Sequence, residues 1–161
     1  MSKRRKLLIL LSWTAVLLWL GLIFRLSSQA ADQSGALSTG LTQIIVGMLV
    51  TLAPESNFDI SQFDHLVRKY AHFTAYLVLS VLVINAKRRS GLKGWKWLFL
   101  ALAFCLLYAV SDEIHQLYVP GRSGQIRDIL IDGCGVLVGS IIYKSGSFLR
   151  ARRPQAAVRK T

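Results

Sequence analysis

Between Ser111 and Gly139 the chain sets Asp112, Glu113, His115, Gln116, Arg122, Asp128 and Asp132 against two long apolar stretches. A carboxylate is costly to hold in hydrocarbon, so acids placed there usually face a partner or a ligand. A second group lies upstream, at Arg68, Lys69, His72 and Tyr76. Arg68, His72 and Tyr76 are spaced i, i+4, i+8 and so share one face of a helix. Arg68, Lys69 and Arg122 are the residue types that clamp a phosphate or carboxylate, arginine with bidentate geometry. Glu113 and Asp128 suit acid/base work if burial raises the pKa of one of them, with His72 as partner, which makes these three the catalytic candidates. His72, Glu113 and His115 are metal-ligating types, but they lack any standard spacing, so no metal is expected. The chain has no nucleophile elbow, P-loop, zincin motif or dinucleotide fingerprint, and no cofactor is expected. Ser111 is the one nearby candidate nucleophile, and a weak one.

The elements that must position these groups are apolar. Of 161 residues, 53% are hydrophobic, and the mean hydropathy is +0.44. Crossing roughly 30 Å of hydrocarbon takes about 20 mostly apolar residues. Four windows approach that length: Leu7–Phe24, Leu66–Ala86, Trp95–Val110 and Ile126–Tyr143. The expected architecture is all-α, an integral membrane four-helix bundle forming a single domain over 1–161. Residues 1–6 and 144–161 form basic tails. The third window is short at ~1.5 Å per residue, so its helix must run on through Asp112 and Glu113. The small and polar stretch Ser27–Gly40 reads as irregular. Leu41, Ile44, Ile45, Met48, Leu49 and Leu52 then recur at helical spacing up to Pro54. That run is too short to span, and predicts a short outer helix, interfacial or re-entrant, with a lid over a site as the sharper alternative. Glu55–Asp64 reads as a polar loop, and Pro120-Gly121 as a turn. Asp128, Asp132, Gly135 and Gly139 share a face, and Gly135-x-x-x-Gly139 permits close helix contact. Cys105 and Cys134 fall inside helices and read as small hydrophobes.

The net charge of +12 is unevenly distributed. With the N-terminus inside and four crossings, Lys3–Lys6, then Lys87, Arg88, Arg89, Lys93 and Lys96, then Lys144 and the C-terminal basic residues all fall on the cytoplasmic side. The eight acids fall on or near the other side. This positive-inside pattern predicts a multi-pass protein with both termini in the cytoplasm. It also assigns the basic runs to topology and membrane-lipid contact, not nucleic acid. The N-terminus has signal-peptide features, ending in Ser28-Gln29-Ala30. Its apolar run is too long and Arg25 interrupts it, so an uncleaved helix is expected.

Depth then groups the polar residues. His72 and Asp132 each lie about 6 residues, or ~9 Å, inside their helices from the outer end. Asp112, Glu113, His115 and Gln116 sit at the outer end of the third helix. Polar groups at matching depth on three helices are expected to face one another, because lipid would leave them unpaired. The expected pocket is lined by Arg68, Lys69, His72, Tyr76, Asp112, Glu113, Gln116, Arg122, Asp128 and Asp132.

These residues resemble the VanZ-like family of bacterial membrane proteins. The blocks are Asp112-Glu113-x-x-Gln116, Pro120-Gly121-Arg122, Asp128, a polar residue at 132 with Gly135 and Gly139, and Arg68-Lys69-x-x-His72-Phe73-x-x-Tyr76. A weaker one runs from Phe24 through Ser27-Ser28-Gln29, with Ser34 and Ser38. Together they keep the family's order over about 20–143. Asp132 departs from the pattern, which often has Asn there. The resemblance implies a protein of the bacterial cytoplasmic membrane, linked in the namesake to low-level teicoplanin resistance. That antibiotic acts outside the membrane on lipid-linked cell-wall precursors. The leading expectation is a pocket for an anionic lipid-linked or envelope ligand that modulates glycopeptide susceptibility. The rivals are a membrane-embedded enzyme acting on a lipid-linked substrate, and a small proton-coupled transporter using Asp132 and needing a homodimer.

Overall fold

A computed structural model describes residues 2–52, 60–92, 94–122 and 124–152. The chain is all-α, with five helices: α1 (Lys3–Ser27), α2 (Ala31–Leu52), α3 (Ile60–Arg89), α4 (Trp95–Gln116) and α5 (Ile126–Arg152). Three stretches are long and apolar enough to cross a membrane, Lys3–Ser27, Leu66–Arg89 and Trp95–Gln116. Only 11% of the apolar window of α1 is buried in the protein. Leu17, Leu18 and Leu107 are each at least two-thirds exposed. Such continuous outward apolar surface is expensive in water and neutral in hydrocarbon. The fourth expected span, in α5, is also long enough, but carries Arg127, Asp128 and Asp132.

Side-chain contacts set the helix directions. Trp13 Nε1 donates to Ser90 Oγ at 3.1 Å, and Ser28 Oγ lies 3.1 Å from His115 Nε2. The end of α1 therefore meets the end of α4, while its beginning meets the end of α3. α3 and α5 run the same way, Gly135 lying against Phe73 and Leu77 and Gly139 against Leu77 and Ser80. One end of the molecule thus gathers the C-termini of α1 and α4 with the N-termini of α3 and α5. α1 is tied in twice more, by Trp19 Nε1 donating to Ala75 O at 2.9 Å and Tyr108 OH to Leu20 O at 2.8 Å. Tyr76, Leu79, Val83, Cys105 and Val136 form the packed centre.

Helix α4 continues through Asp112 and Glu113 to Gln116, as its short apolar window requires. Pro120-Gly121 turns, with Gly121 at φ 73°, a conformation that suits a residue without Cβ. The stretch Ser27–Gly40 corrects its expectation. Most of it is helical, and α2 has 22 residues, about 33 Å at ~1.5 Å per residue. Its Ser, Thr and Gly residues each cost under ~1 kcal/mol of helix propensity. Packing against α3, with Thr42 and Val46 buried, outweighs that cost. A short length therefore no longer argues for an interfacial or re-entrant position. The basic ends are also partly helical, since α1 begins at Lys3 and α5 runs to Arg152. Pro54 and residues 55–59 of the expected polar loop lie outside the described residues. Cys105 is buried and Cys134 exposed, both as free thiols.

The α3–α5 contact rests on two glycines. A Cβ at Gly135 would collide with the Phe73 carbonyl and lie 3.2 Å from Leu77 N, and one at Gly139 would collide with the Leu77 carbonyl. Gly146, lower on the same helix, faces open space. Gly135→Ala and Gly139→Ala should each lower stability by about 1–3 kcal/mol in detergent unfolding. Gly146→Ala should be neutral or stabilise by up to ~1 kcal/mol.

Candidate functional site

At the end where α3 and α5 begin, a partly enclosed cavity of about 120 Å³ is lined by Arg68, Lys69, His72, Gln116, Gly121, Arg122, Gln125, Asp128 and Ile131. A water needs ~10–15 Å³ by this measure, so several waters or a small oxyanion would fit. Six of the ten expected site residues line it: Arg68, Lys69, His72, Gln116, Arg122 and Asp128. Three more, Tyr76, Asp112 and Asp132, lie buried beside it at 0%, 4% and 1% exposure. His72 joins the two layers, its Nδ1 lying 3.8 Å from Asp132 Oδ1. Tyr76 faces Asp112 and sits tilted against Tyr108 at 6.3 Å between ring centroids.

The helix register explains this layering. Asp132 stands three and seven residues before Gly135 and Gly139, on the face of α5 that presses on α3. The glycines bring the α5 backbone close, so a side chain as short as aspartate reaches His72. Tyr76 OH, Asp112 Oδ2, Asp128 Oδ1 and Asp132 Oδ1 are buried with no partner of hydrogen-bonding geometry among the described residues. Buried acceptors of this kind normally find water or a ligand.

Two charged residues stabilise helix ends as well as the site. Glu113 Oε1 accepts the Gln125 N–H at 2.6 Å, just before α5 begins. A carboxylate there satisfies an amide that the helix leaves free and complements the helix dipole. Arg122 does the reverse at the end of α1, donating from Nε to Gln29 O at 3.1 Å and from Nη2 to Leu26 O at 3.4 Å. Burial and the adjacent Arg68 charge both push its pKa below the usual arginine value. It nevertheless stays a cation at neutral pH, given how high that value starts.

The remaining polar groups hold α1 to α4. Gln116 Nε2 donates to Ser27 Oγ at 3.0 Å in a buried contact. His115 stacks on Phe24 at 4.8 Å between centroids. His115 is therefore turned toward α1, and Ser111 Oγ donates to Tyr108 O at 2.9 Å. Among the described residues no group of three His, Cys, Asp or Glu side chains is arranged to hold a metal. Residue-type reasoning missed Gln125 and Ile131, which line the cavity through the α5 register. The Ser27-Ser28-Gln29 block was visible in sequence, but its use as an anchor for Gln116, His115 and Arg122 was not. Glu113→Ala should cost about 1 kcal/mol in detergent unfolding by removing the α5 cap, while Glu113→Gln, still an acceptor, should retain most of that stability.

No curated protein and no solved structure matches this chain. The family model VanZ/LLP1 matches residues 12–150. That span holds α2, α3 and α4 whole, α1 from its tenth residue and α5 but for its last two, and every residue of the cavity. The chain belongs to the VanZ/LLP1 family.

Proposed function

We propose that the cavity binds the anionic headgroup of a lipid-linked or other envelope ligand, and that through it the protein modulates susceptibility to a glycopeptide such as teicoplanin. The carrying observation is that Arg68, Lys69 and Arg122 line one cavity, with Arg68 close enough to Arg122 to disfavour the Arg122 charge. Like charges held together are relieved when an anion enters between them. Arg122 already spends two N–H groups on α1 carbonyls and acts as a fixed charge. Arg68 and Lys69, half-buried in the third turn of α3, supply the other contacts. His72, Gln116 and Asp128 line the remaining wall and orient the ligand.

The reading includes a location. α5 is the fourth span, its charged turn lying toward the cavity. Both termini are cytoplasmic and the cavity faces outward from the bacterial cytoplasmic membrane, where lipid-linked wall precursors are exposed. What supports this is the separation of charge along the helices, with Lys87, Arg88, Arg89 and Lys144 at the end away from the cavity. Two observations favour binding over turnover. Glu113 is engaged at the start of α5, and Ser111 is bonded to its own helix.

The test is purification in mild detergent with mass spectrometry of retained lipids. A polyprenyl phosphate should be retained by the native chain. Arg68→Gln/Lys69→Gln should still insert but retain at least about a hundredfold less, because two charge-assisted contacts worth about 1.5–3 kcal/mol each are lost. Arg122→Ala should lower both retention and melting temperature, since it also releases the end of α1. Bulk phospholipid alone, equal in native and variant protein, would overturn the reading.

A further inference from the structure

We propose that the opposite end of the molecule carries a second, independent site, for an anionic phospholipid, between α3, α4 and α5. A cavity of about 310 Å³ lies there. Lys87, Arg88 and Lys144 bring three cations to it, while Ile84 and Leu98 give it apolar surface and Trp97 an amphipathic edge. Its lining contains no acid. The four acids whose side chains are described, Asp112, Glu113, Asp128 and Asp132, all sit at the other end of the helices. Among the described residues none of the three cations has a carboxylate within ion-pair distance.

One of the cations is held by a neighbouring ring. The Lys144 ammonium lies 3.6 Å over the Trp95 ring, at the seam of α4 and α5. Lys87 is partly buried near the end of α3. Tyr143 OH donates to Asn85 Oδ1 at 3.4 Å, and Arg89 Nε to the same oxygen at 3.3 Å, which orders the α3–α5 side of the cavity. Three clustered cations with no carboxylate beside them among the described residues call for an anion from outside.

The position selects the kind of anion. Lys87 and Arg88 close the span Leu66–Arg89, and Trp97 opens the span Trp95–Gln116. This is the level at which hydrocarbon gives way to headgroups, where aromatic and basic side chains meet lipid phosphate. A free phosphate would use the cations and leave Ile84 and Leu98 uncovered. A phospholipid covers both, with its phosphate on the cations and an acyl chain along the apolar residues. The site rests neither on the function proposed for the first cavity nor on which way the chain crosses the membrane.

The test is back-addition of phosphatidylglycerol or phosphatidylcholine to protein in mild non-ionic detergent, read by native mass spectrometry and melting temperature. The native chain should retain phosphatidylglycerol about tenfold better and melt higher with it. Lys87→Gln/Lys144→Gln should lose that preference. Lys3→Gln/Lys6→Gln, basic residues near the same end but outside the cavity, should keep it. Arg68→Gln/Lys69→Gln should also keep it, which separates this site from the first. Equal retention of both lipids by the native chain would overturn the proposal, as would a preference that survives in Lys87→Gln/Lys144→Gln. A rise in melting temperature from inorganic phosphate as large as that from phosphatidylglycerol would assign the cations to a soluble anion and overturn it too. If the double variant does not fold, the two arms on native protein still decide.

Discussion

The close approach of α5 to α3 is the constraint on which the other contacts depend. Gly135 and Gly139 let the two backbones meet at Phe73 and Leu77, where any side chain would collide. Between apolar helices in a membrane there is little hydrophobic drive for association, so packing distance and polar contacts must supply it. The same contact sets the register that carries Asp132 to His72 and Asp128 to the cavity. A larger residue at either glycine would move the acids away from α3 as well as loosen the pair.

The second layer of organisation is electrostatic. α1 ends and α5 begins at the same end of the molecule, which places the negative end of one helix near the positive end of another. Arg122 sits at the first and Glu113 at the second. These two residues do structural work while lying beside the cavity, so position and charge are supplied together. The orphaned oxygens of Asp112, Asp128 and Asp132 are a different matter. Asp128 also stands in the first turn of α5, where its charge complements the helix dipole, but the burial of all three oxygens costs stability unless something fills the space beside them. Stability spent in this way is common at binding sites.

Charge also divides the molecule end from end. The described acids and the arginine pair gather at one end, and unpaired cations without acids at the other. A cavity at each end has the opposite composition in kind: mixed charge and buried acceptors at the first, cations over apolar residues at the second. The two cavities therefore offer different chemistry, groups of both signs at the first and cations beside apolar surface at the second.

Much was legible in the sequence, for reasons particular to each element. Apolar length and charge count gave the long helices, because hydrocarbon thickness and the cost of charge are fixed quantities. Helical rise converts residue number into height, which set His72 and Asp132 at one level with Arg68, Lys69, Gln116 and Arg122 nearby. The glycine pair declared a close contact without naming its partner. Other features were decided only by tertiary structure. Ser27–Gly40 reads as irregular by residue type, yet contact with α3 makes most of it helical. Arg122 looks like a ligand clamp, yet two of its N–H groups go to α1 carbonyls that only folding brings near. His115 stands among the site residues in sequence and turns to Phe24 in space. Local composition determined the long apolar helices and the relative height of the polar residues along them. Which charge meets which helix end depends on contacts between residues 12 positions apart for Glu113 and 93 for Arg122, and only packing could decide it.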